Sequence, residues 1–344
     1  MKVLFFGLGS IGQRHLRNLR SIVGPDLEVA ACRTRRRNIV LNDRQQVEEN
    51  QDLEDKYALT SFGDIDEALA WEPEMVFICN PNSLHMPCAL AAARSGCHLL
   101  IEKPLSHDLE GTEELAALLD SHRKVGLVAY QMRFHPLIRL VQEILVDSGI
   151  GRVLSARAER GEYIPAWHPY EDYRESYASR SDQGGGALLS QIHEMDYLYS
   201  LFGLPRRLFA VGGHLSSLEV DVEDVASVLM ACPVDGQEIP VELHLDYIQR
   251  PPSQSLKIIG DEGKIEVDFP SMTLVHHRQG ELVRREELSD FPRNQLFLDE
   301  INHFLACIRG EEKPLVSIRD GAQSLRMALA AKESLQTGRA VLLS

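Results

Sequence analysis

Val3-Leu4-Phe5-Phe6-Gly7-Leu8-Gly9-Ser10-Ile11-Gly12 opens the chain with an apolar run, a G-x-G-x-x-G and the start of a helical pattern. Four consecutive apolar residues read as a buried strand. The glycines have separate tasks. Gly7 permits a tight turn, Gly9 lets the backbone approach a pyrophosphate, and Gly12 allows close helix–strand packing. Ser10 and Ile11 lie at the start of the helical pattern, whose unpaired N–H groups would face that anion. A glycine-rich turn alone says little. One that follows a strand and opens a βαβ unit predicts a dinucleotide-binding half.

Working outward, apolar runs at 2–6, 27–32, 75–79, 98–101 and 125–130 alternate with helical patterns at 11–22, 64–70, 86–95 and 109–121. Such alternation predicts an α/β fold with a doubly wound parallel sheet, the Rossmann arrangement. After about residue 150 the pattern changes to half-buried strands at 153–159, 207–211, 225–231, 241–247, 255–259, 264–267 and 274–277. Asp235-Gly236, Asp261-Glu262-Gly263 and Gln279-Gly280 supply tight turns, so this second sheet is expected to be antiparallel. Segments 295–309 and 320–336 read as helices. The expected division is a dinucleotide-binding domain at 1–130 and a substrate and oligomerisation domain at 131–344. The last helix, about 320–336, is a candidate to pack back on the first domain.

Composition supports two ordinary globular domains. The chain has 344 residues, 44% hydrophobic and 25% charged, with 36 Lys plus Arg against 51 Asp plus Glu, a formal net charge of −15. A charge this negative repels phosphate backbones, which argues against nucleic acid as a partner. No apolar run approaches the roughly 20 residues of a membrane span, and Met1-Lys2 leads straight into a strand without a signal-peptide pattern. The cysteines Cys32, Cys79, Cys88, Cys97, Cys232 and Cys307 form no C-x-x-C, and no Cys/His set has zinc spacing. Buried, reduced cysteines, a cytoplasmic location and no metal are therefore expected.

Twenty-one residues beyond Gly12, just past the second strand, an acidic residue would accept from the ribose hydroxyl of NAD. This chain has Arg33-Thr34-Arg35-Arg36-Arg37. Arginine forks suit a 2′-phosphate, so Arg33, Thr34 and Arg35 favour NADP(H), with NAD(H) and a merely solvated basic turn as alternatives. Further on, one strand ends in Asn80-Pro81-Asn82-Ser83-Leu84-His85 and the next in Glu102-Lys103-Pro104. Ligands bind at such carboxyl ends, so Lys103 would point into the crevice. Pro104 fixes the turn and is a candidate for a cis bond.

These motifs, in this order and spacing, resemble the Gfo/Idh/MocA oxidoreductase family over essentially the whole chain. The resemblance also includes Gln131-x-Arg133-Phe134-His135-Pro136, Gly184-Gly185-Gly186 and a following helix with His193. It implies a Rossmann domain plus an α/β domain with a large open, mostly antiparallel sheet. It implies hydride transfer to or from a hydroxyl or keto carbon of a sugar, sugar acid, sugar nucleotide or cyclitol, and homodimers or homotetramers through the open sheet. By the same resemblance Lys103 and His193 are catalytic. Asn80, Pro81, Asn82, His85, Glu102, Lys103 and Gln131 join the glycine loop in holding the cofactor. Many members carry an aspartate three or four residues before the histidine; Ser190 and Leu189 stand there. Two other readings stay open: transient oxidation with cofactor recycling, as in an epimerase, lyase or glycosidase, and a non-catalytic dinucleotide sensor.

Around His193, the residues Leu188, Leu189, Ile192, Met195, Leu198 and Phe202 form a helical apolar stripe, leaving Ser190, His193, Glu194 and Tyr197 on a polar face free to meet solvent or a ligand. The preceding glycines suggest backbone approaching that ligand. Segment 157–180 gathers Tyr163, Trp167, His168, Arg174 and Arg180. Aromatic faces suit sugars and arginines suit anions, so with Arg133, Ser190 and His193 these are the candidate substrate residues, and the substrate is expected to be anionic. A loop packing over the core or against another subunit is the alternative for the whole segment.

Overall fold

Strand β1 (Lys2–Phe6) is the centre of a six-stranded sheet, with β2 (Glu28–Cys32) and β3 (Leu59–Phe62) on one side. On the other lie β4 (Met75–Ile78), β5 (His98–Glu102) and β6 (Gly126–Ala129). The order β3-β2-β1-β4-β5-β6 is parallel throughout. Strand order reverses between β1 and β4, which opens a crevice at their carboxyl ends. In the computed structural model, which describes residues 1–33, 38–42 and 45–343, this sheet belongs to the first of two compact units. That unit comprises Met1–Tyr130, His168–Asp172 and Leu296–Ala322; the second comprises Gln131–Trp167, Tyr173–Gln295 and Gln323–Ser344.

Helix α1 (Ser10–Val23) buries Leu16 and Leu19 and stops at Gly24, whose φ of 88° lets its N–H reach the Arg20 carbonyl at 2.9 Å. Two short helices begin on aspartate caps: Asp52 before α2 (Leu53–Tyr57) and Asp64 before α3 (Ile65–Ala70), each accepting two backbone N–H groups. Then come α4 (His85–Arg94) and α5 (Thr112–His122). The expectation of a doubly wound sheet holds. The reading passed over α2 and β3, five and four residues long, because neither is long enough to show a period.

The second unit opens with α6 (Pro136–Val146), capped by His135, whose Nδ1 accepts from the Leu137 N–H at 3.2 Å. Its sheet contains β7 (Val153–Gly161), β8 (Arg207–Gly213), β9 (Val225–Val234), β10 (Gln237–Asp246) and β11 (Ser253–Gly260). It continues with β12 (Gly263–Asp268), β13 (Thr273–Arg278), β14 (Glu281–Glu287) and β15 (Val341–Leu342). The order is β14-β13-β12-β11-β7-β10-β9-β8-β15. Asp235 and Gly236, with φ 48° and 80°, close the β9–β10 hairpin as a two-residue turn. All pairs are antiparallel except β7–β10, so the sheet is mixed rather than purely antiparallel. Between the strands of the parallel pair the chain runs through two helices, α7 (Ala187–Ser190) and α8 (His193–Phe202), and then β8 and β9. Strand β14 escaped the reading because it is a charged edge strand, with Arg284, Arg285, Glu286 and Glu287 in its seven residues.

Two helices follow, α9 (Asn294–Ile308) and α10 (Ile318–Thr337). Ile301, Phe304 and Leu305 of α9 lie in the core of the first unit, and the Phe304 ring meets Phe77 edge-on at 5.9 Å. All six cysteines are free thiols and buried. Among the described residues no helix is long and apolar enough to cross a membrane.

Candidate active site

The carboxyl ends of β1, β4 and β5 lie side by side, with Phe6 level with Ile78 and Ile78 with Ile101. Gly7, at φ 90°, passes so close to the next turn that a Cβ would lie 2.9 Å from the Asn80 nitrogen and the Cys79 oxygen. A Cβ on Gly12 would lie 2.5 Å from the Gly7 carbonyl, so α1 can start here only on glycine. His85, fully buried, sits with Nε2 2.8 Å from the Asn80 carbonyl and Nδ1 2.8 Å from the Pro104 carbonyl. It ties the Asn80-Pro81-Asn82 turn to the turn that carries Lys103, and burial lowers its pKa despite the two carbonyls. The Lys103–Pro104 bond is cis, as expected. The Lys103 backbone N–H donates to Glu102 Oε2 at 3.2 Å.

Beneath that turn lies a cluster the sequence reading missed. His15 of α1 is fully buried, its Nε2 2.7 Å from Glu102 Oε1. Burial alone would raise the Glu102 pKa; the His15 hydrogen bond and the charges of His15 and Lys103 outweigh it and hold this carboxyl below the ordinary range. Glu300 of α9 is buried too, and neither carboxyl oxygen has a hydrogen-bond partner among the described residues. Burial, and then the negative charge of Glu102, push its pKa well up. The signal for both was present. His15 stands four residues from Ile11 and from Leu19, and Glu300 four from Leu296 and from Phe304, each a polar residue on an apolar stripe.

In the second unit the polar face expected around His193 is not exposed. Ser190, His193, Glu194, Asp196 and Tyr197 are all buried, and the single expected helix is two, α7 and α8. Internal partners make this affordable. Glu194 Oε1 accepts from Gln254 at 2.6 Å and lies 3.6 Å from Arg160. Asp196 takes the Arg133 fork at 2.6 and 3.0 Å, and the Ser324 hydroxyl at 3.0 Å. Two of the glycines before α7 approach the chain itself: a Cβ on Gly185 would lie 2.5 Å from the Tyr177 carbonyl, and one on Gly186 2.2 Å from Glu223. Trp167 packs edge-on against Tyr247 at 5.4 Å, and the Tyr247 hydroxyl donates to the Ala178 carbonyl at 3.3 Å. Tyr163 lies under the Arg250 guanidinium at 4.0 Å. Gln131 opens a short 3-10 turn that also carries Arg133.

The remaining candidates lie apart from these. Arg174 pairs with Glu219 at 3.0 Å and Arg180 with Asp182 at 3.0 Å, both half-exposed. His168 belongs with the first unit, 3.0 Å from Glu171. Arg33 is nearly buried, 3.6 Å from Glu54, whereas Thr34 and Arg35 lie outside the described residues.

The first unit's crevice fits a dinucleotide. Gly9 caps α1 without a side-chain hydrogen bond, and a Cβ built on it meets nothing within 4 Å, so the helix N-terminus faces open space. Asn80 Oδ1 is buried beside that space without a partner among the described residues. Gly7, Gly9, Ser10, Ile11 and Gly12 would hold the pyrophosphate, and Asn80 the sugar beyond it.

A parallel sheet with a glycine loop at its switch point, a Glu-Lys-cis-Pro turn beside it and a second α/β unit define a nicotinamide-dinucleotide-dependent oxidoreductase. The chain belongs to the Gfo/Idh/MocA oxidoreductase family: residues 1–130 match its NAD-binding Rossmann fold and residues 144–343 its C-terminal alpha/beta domain. It is 24% identical to a myo-inositol 2-dehydrogenase of Thermotoga maritima, over 99% of this chain and 98% of that one. It is also 24% identical to an NADP(+) D-xylose 1-dehydrogenase of Haloarcula marismortui, over 77% of this chain and 73% of that one. The fold matches the WlbA dehydrogenase of Bordetella pertussis, solved with NADH and UDP-GlcNAcA, with a TM-score of 0.80 and 19% identity over 100% of this chain and 99% of that one.

Glu300 gives the site a measurable pH signature. In the unfolded chain a glutamate releases its proton near pH ~4.3, but folded Glu300 keeps it to higher pH. Its contribution is therefore complete below that pH and declines as pH rises toward the raised folded value. Glu300→Gln removes the decline, so the variant's melting temperature should gain on wild type between pH 5 and 8. Thermal scans showing a pH-independent difference would refute this assignment.

Proposed function

We propose that the protein transfers a hydride between a nicotinamide cofactor and a hydroxyl or keto carbon of a sugar, sugar acid, sugar nucleotide or cyclitol. The observation that carries this reading is the Glu102-Lys103-cis-Pro104 turn, tied by His85 to the loop beside Gly7. Bound there, the cofactor supplies the hydride acceptor or donor. Lys103 takes the hydroxyl proton as the carbon is oxidised, or returns it in reduction. Glu102, held by His15, fixes the Lys103 backbone so that the amine keeps its aim.

The substrate reading extends to an anionic group. Arg133 is closed on Asp196, whereas Arg174 and Arg180 pair with the surface acids Glu219 and Asp182. Exposed pairs are worth about 0–1 kcal/mol, so a substrate carboxylate or phosphate can displace them. For the cofactor, Arg33 with Thr34 and Arg35 favours NADP(H). A second copy of the chain is the proposed cover for the open face of the large sheet, where Phe209, Val211 and Leu229 lie exposed and Phe209 stands level with Leu229. This assembly would act in the cytoplasm.

The deciding experiment assays NADP(H) turnover against a panel of neutral and acidic sugars, sugar nucleotides and cyclitols. Lys103→Ala should lower turnover by about 10²-fold or more, the scale of a general base, with cofactor affinity kept. Arg174→Ala should raise KM for the acidic substrates alone. Near-normal turnover without Lys103 refutes its role, and no activity on any member refutes the substrate class. Arg33→Asp should move the ratio of cofactor dissociation constants toward NAD(H); an unchanged ratio removes Arg33 from cofactor choice. In sedimentation velocity, wild type should run as a dimer or tetramer and Leu229→Glu as a smaller species, whereas a monomeric wild type refutes the assembly.

A further inference from the structure

The glycine loop lies at the carboxyl ends of the parallel strands. At their amino ends, where β4 and β5 begin, is a cavity of about 610 Å³, within the roughly 300–1,000 Å³ of small-molecule pockets. Its lining comes entirely from the first unit. Ile22 and Val23 end α1, Met75 starts β4, and Leu305 and Ile308 close α9, which together give an apolar wall. Two nitrogen donors stand beside that wall. His98 starts β5, and its Nδ1 accepts from the Val125 N–H at 3.1 Å, so the ring proton is on Nε2, which has no partner among the described residues. Burial, helped by the charge of Lys124, lowers the His98 pKa to about 4 and keeps the ring neutral. Lys124, the other donor, immediately precedes that same Val125 and is half-buried.

Lys56, Lys257, Lys264 and Lys332 each meet a carboxylate. Lys124 meets none among the described residues. The carboxylate in the lining is Glu74, which is largely exposed and accepts from the Lys2 backbone N–H at 3.2 Å. Arg309, at the rim, pairs with Glu311. A half-buried ammonium without a counter-ion, a fixed N–H donor and an apolar wall are the complement of a carboxylate on an apolar body. The carboxylate answers the charge and accepts both hydrogen bonds, and the wall takes the hydrocarbon out of water. We propose that this cavity is a second ligand site, apart from the dinucleotide crevice, that binds a small amphipathic carboxylate through Lys124 and His98. The wall suits a hydrocarbon and not a sugar, so the site is no extension of the substrate pocket, and it stands independently of the dinucleotide reading.

The test titrates octanoate and 1-octanol, which share one hydrocarbon chain, into the full chain by isothermal titration calorimetry. Octanoate should bind about tenfold more tightly than 1-octanol, the scale of a hydrogen bond to a charged group. Lys124→Met keeps most of the side chain and removes its charge. It should raise the octanoate constant about tenfold, leave the 1-octanol constant unchanged and melt with wild type. Ile308→Trp, which fills the cavity, should weaken both ligands. Because that substitution can disturb α9, Lys124→Met decides where the two disagree. No octanoate binding, equal affinity for the two ligands, or an octanoate constant that ignores Lys124→Met would each overturn the proposal. Octanoate displaced by NADH or NADPH would place it in the glycine-loop crevice and overturn it as well.

Discussion

Two backbone contacts too close for any side chain fix where the chemistry can be. Gly7 lies against the Asn80 nitrogen and Cys79 carbonyl, and Gly12 against the Gly7 carbonyl. Larger residues at either place would push α1 off the sheet or β1 away from β4. With the glycines, the N-terminus of α1 is brought to the gap where strand order reverses. The Asn80 turn is then beside it, His85 reaches from that turn to Pro104, and Lys103 is held at the same edge. Each step relies on the one before, so Lys103 is positioned ultimately by missing side chains four strands earlier in the chain.

Both units bury charge, and both do so by matching a helix residue to a partner. In the first, His15 meets Glu102; in the second, Arg133 meets Asp196, with the Ser324 hydroxyl on the same carboxylate. An unmatched buried ion costs several kcal/mol or takes up a proton instead. Glu300 follows the second course: with no hydrogen-bond partner among the described residues and Glu102 nearby, it is held as the neutral acid. The lower pKa of Glu102 and the raised one of Glu300 are two sides of one arrangement, in which only one carboxylate of the pair carries charge.

The period of the apolar residues made the parallel sheet legible, and the turn dipeptides made the hairpins legible, because both are local. What was lost depended on distant partners. The polar face at Ser190, His193, Glu194 and Tyr197 suggests solvent until Arg160 and Gln254 are known to lie opposite Glu194. The parallel β7–β10 pair cannot be read from strands that look alike. Gly185-Gly186 does mark a close approach, but to Tyr177, Ala178 and Glu223 of the same chain. Segment 157–180 has one composition and two destinations, since His168–Asp172 leaves its neighbours for the other unit.

A chain of formal charge −15 must still hold a polyanionic cofactor. Side-chain charge is not its main means of doing so. Helices α2, α3 and α5 carry acids in their first turns, Glu54 and Asp55, Asp66 and Glu67, Glu113 and Glu114, where they complement the positive end of the helix. Helix α1 carries none, and its cap is a glycine without a side-chain bond. Acids at Ser10 or Ile11 would satisfy the same N–H groups and stabilise the free protein, but they would repel the phosphate that those groups are there to receive. The first turn of α1 is therefore left electrostatically incomplete, and the ligand completes it. This separates global charge from local recognition: the net negative charge discourages polyanions in general, while fixed backbone dipoles at one helix end would admit a pyrophosphate at the loop of Gly7 and Gly12.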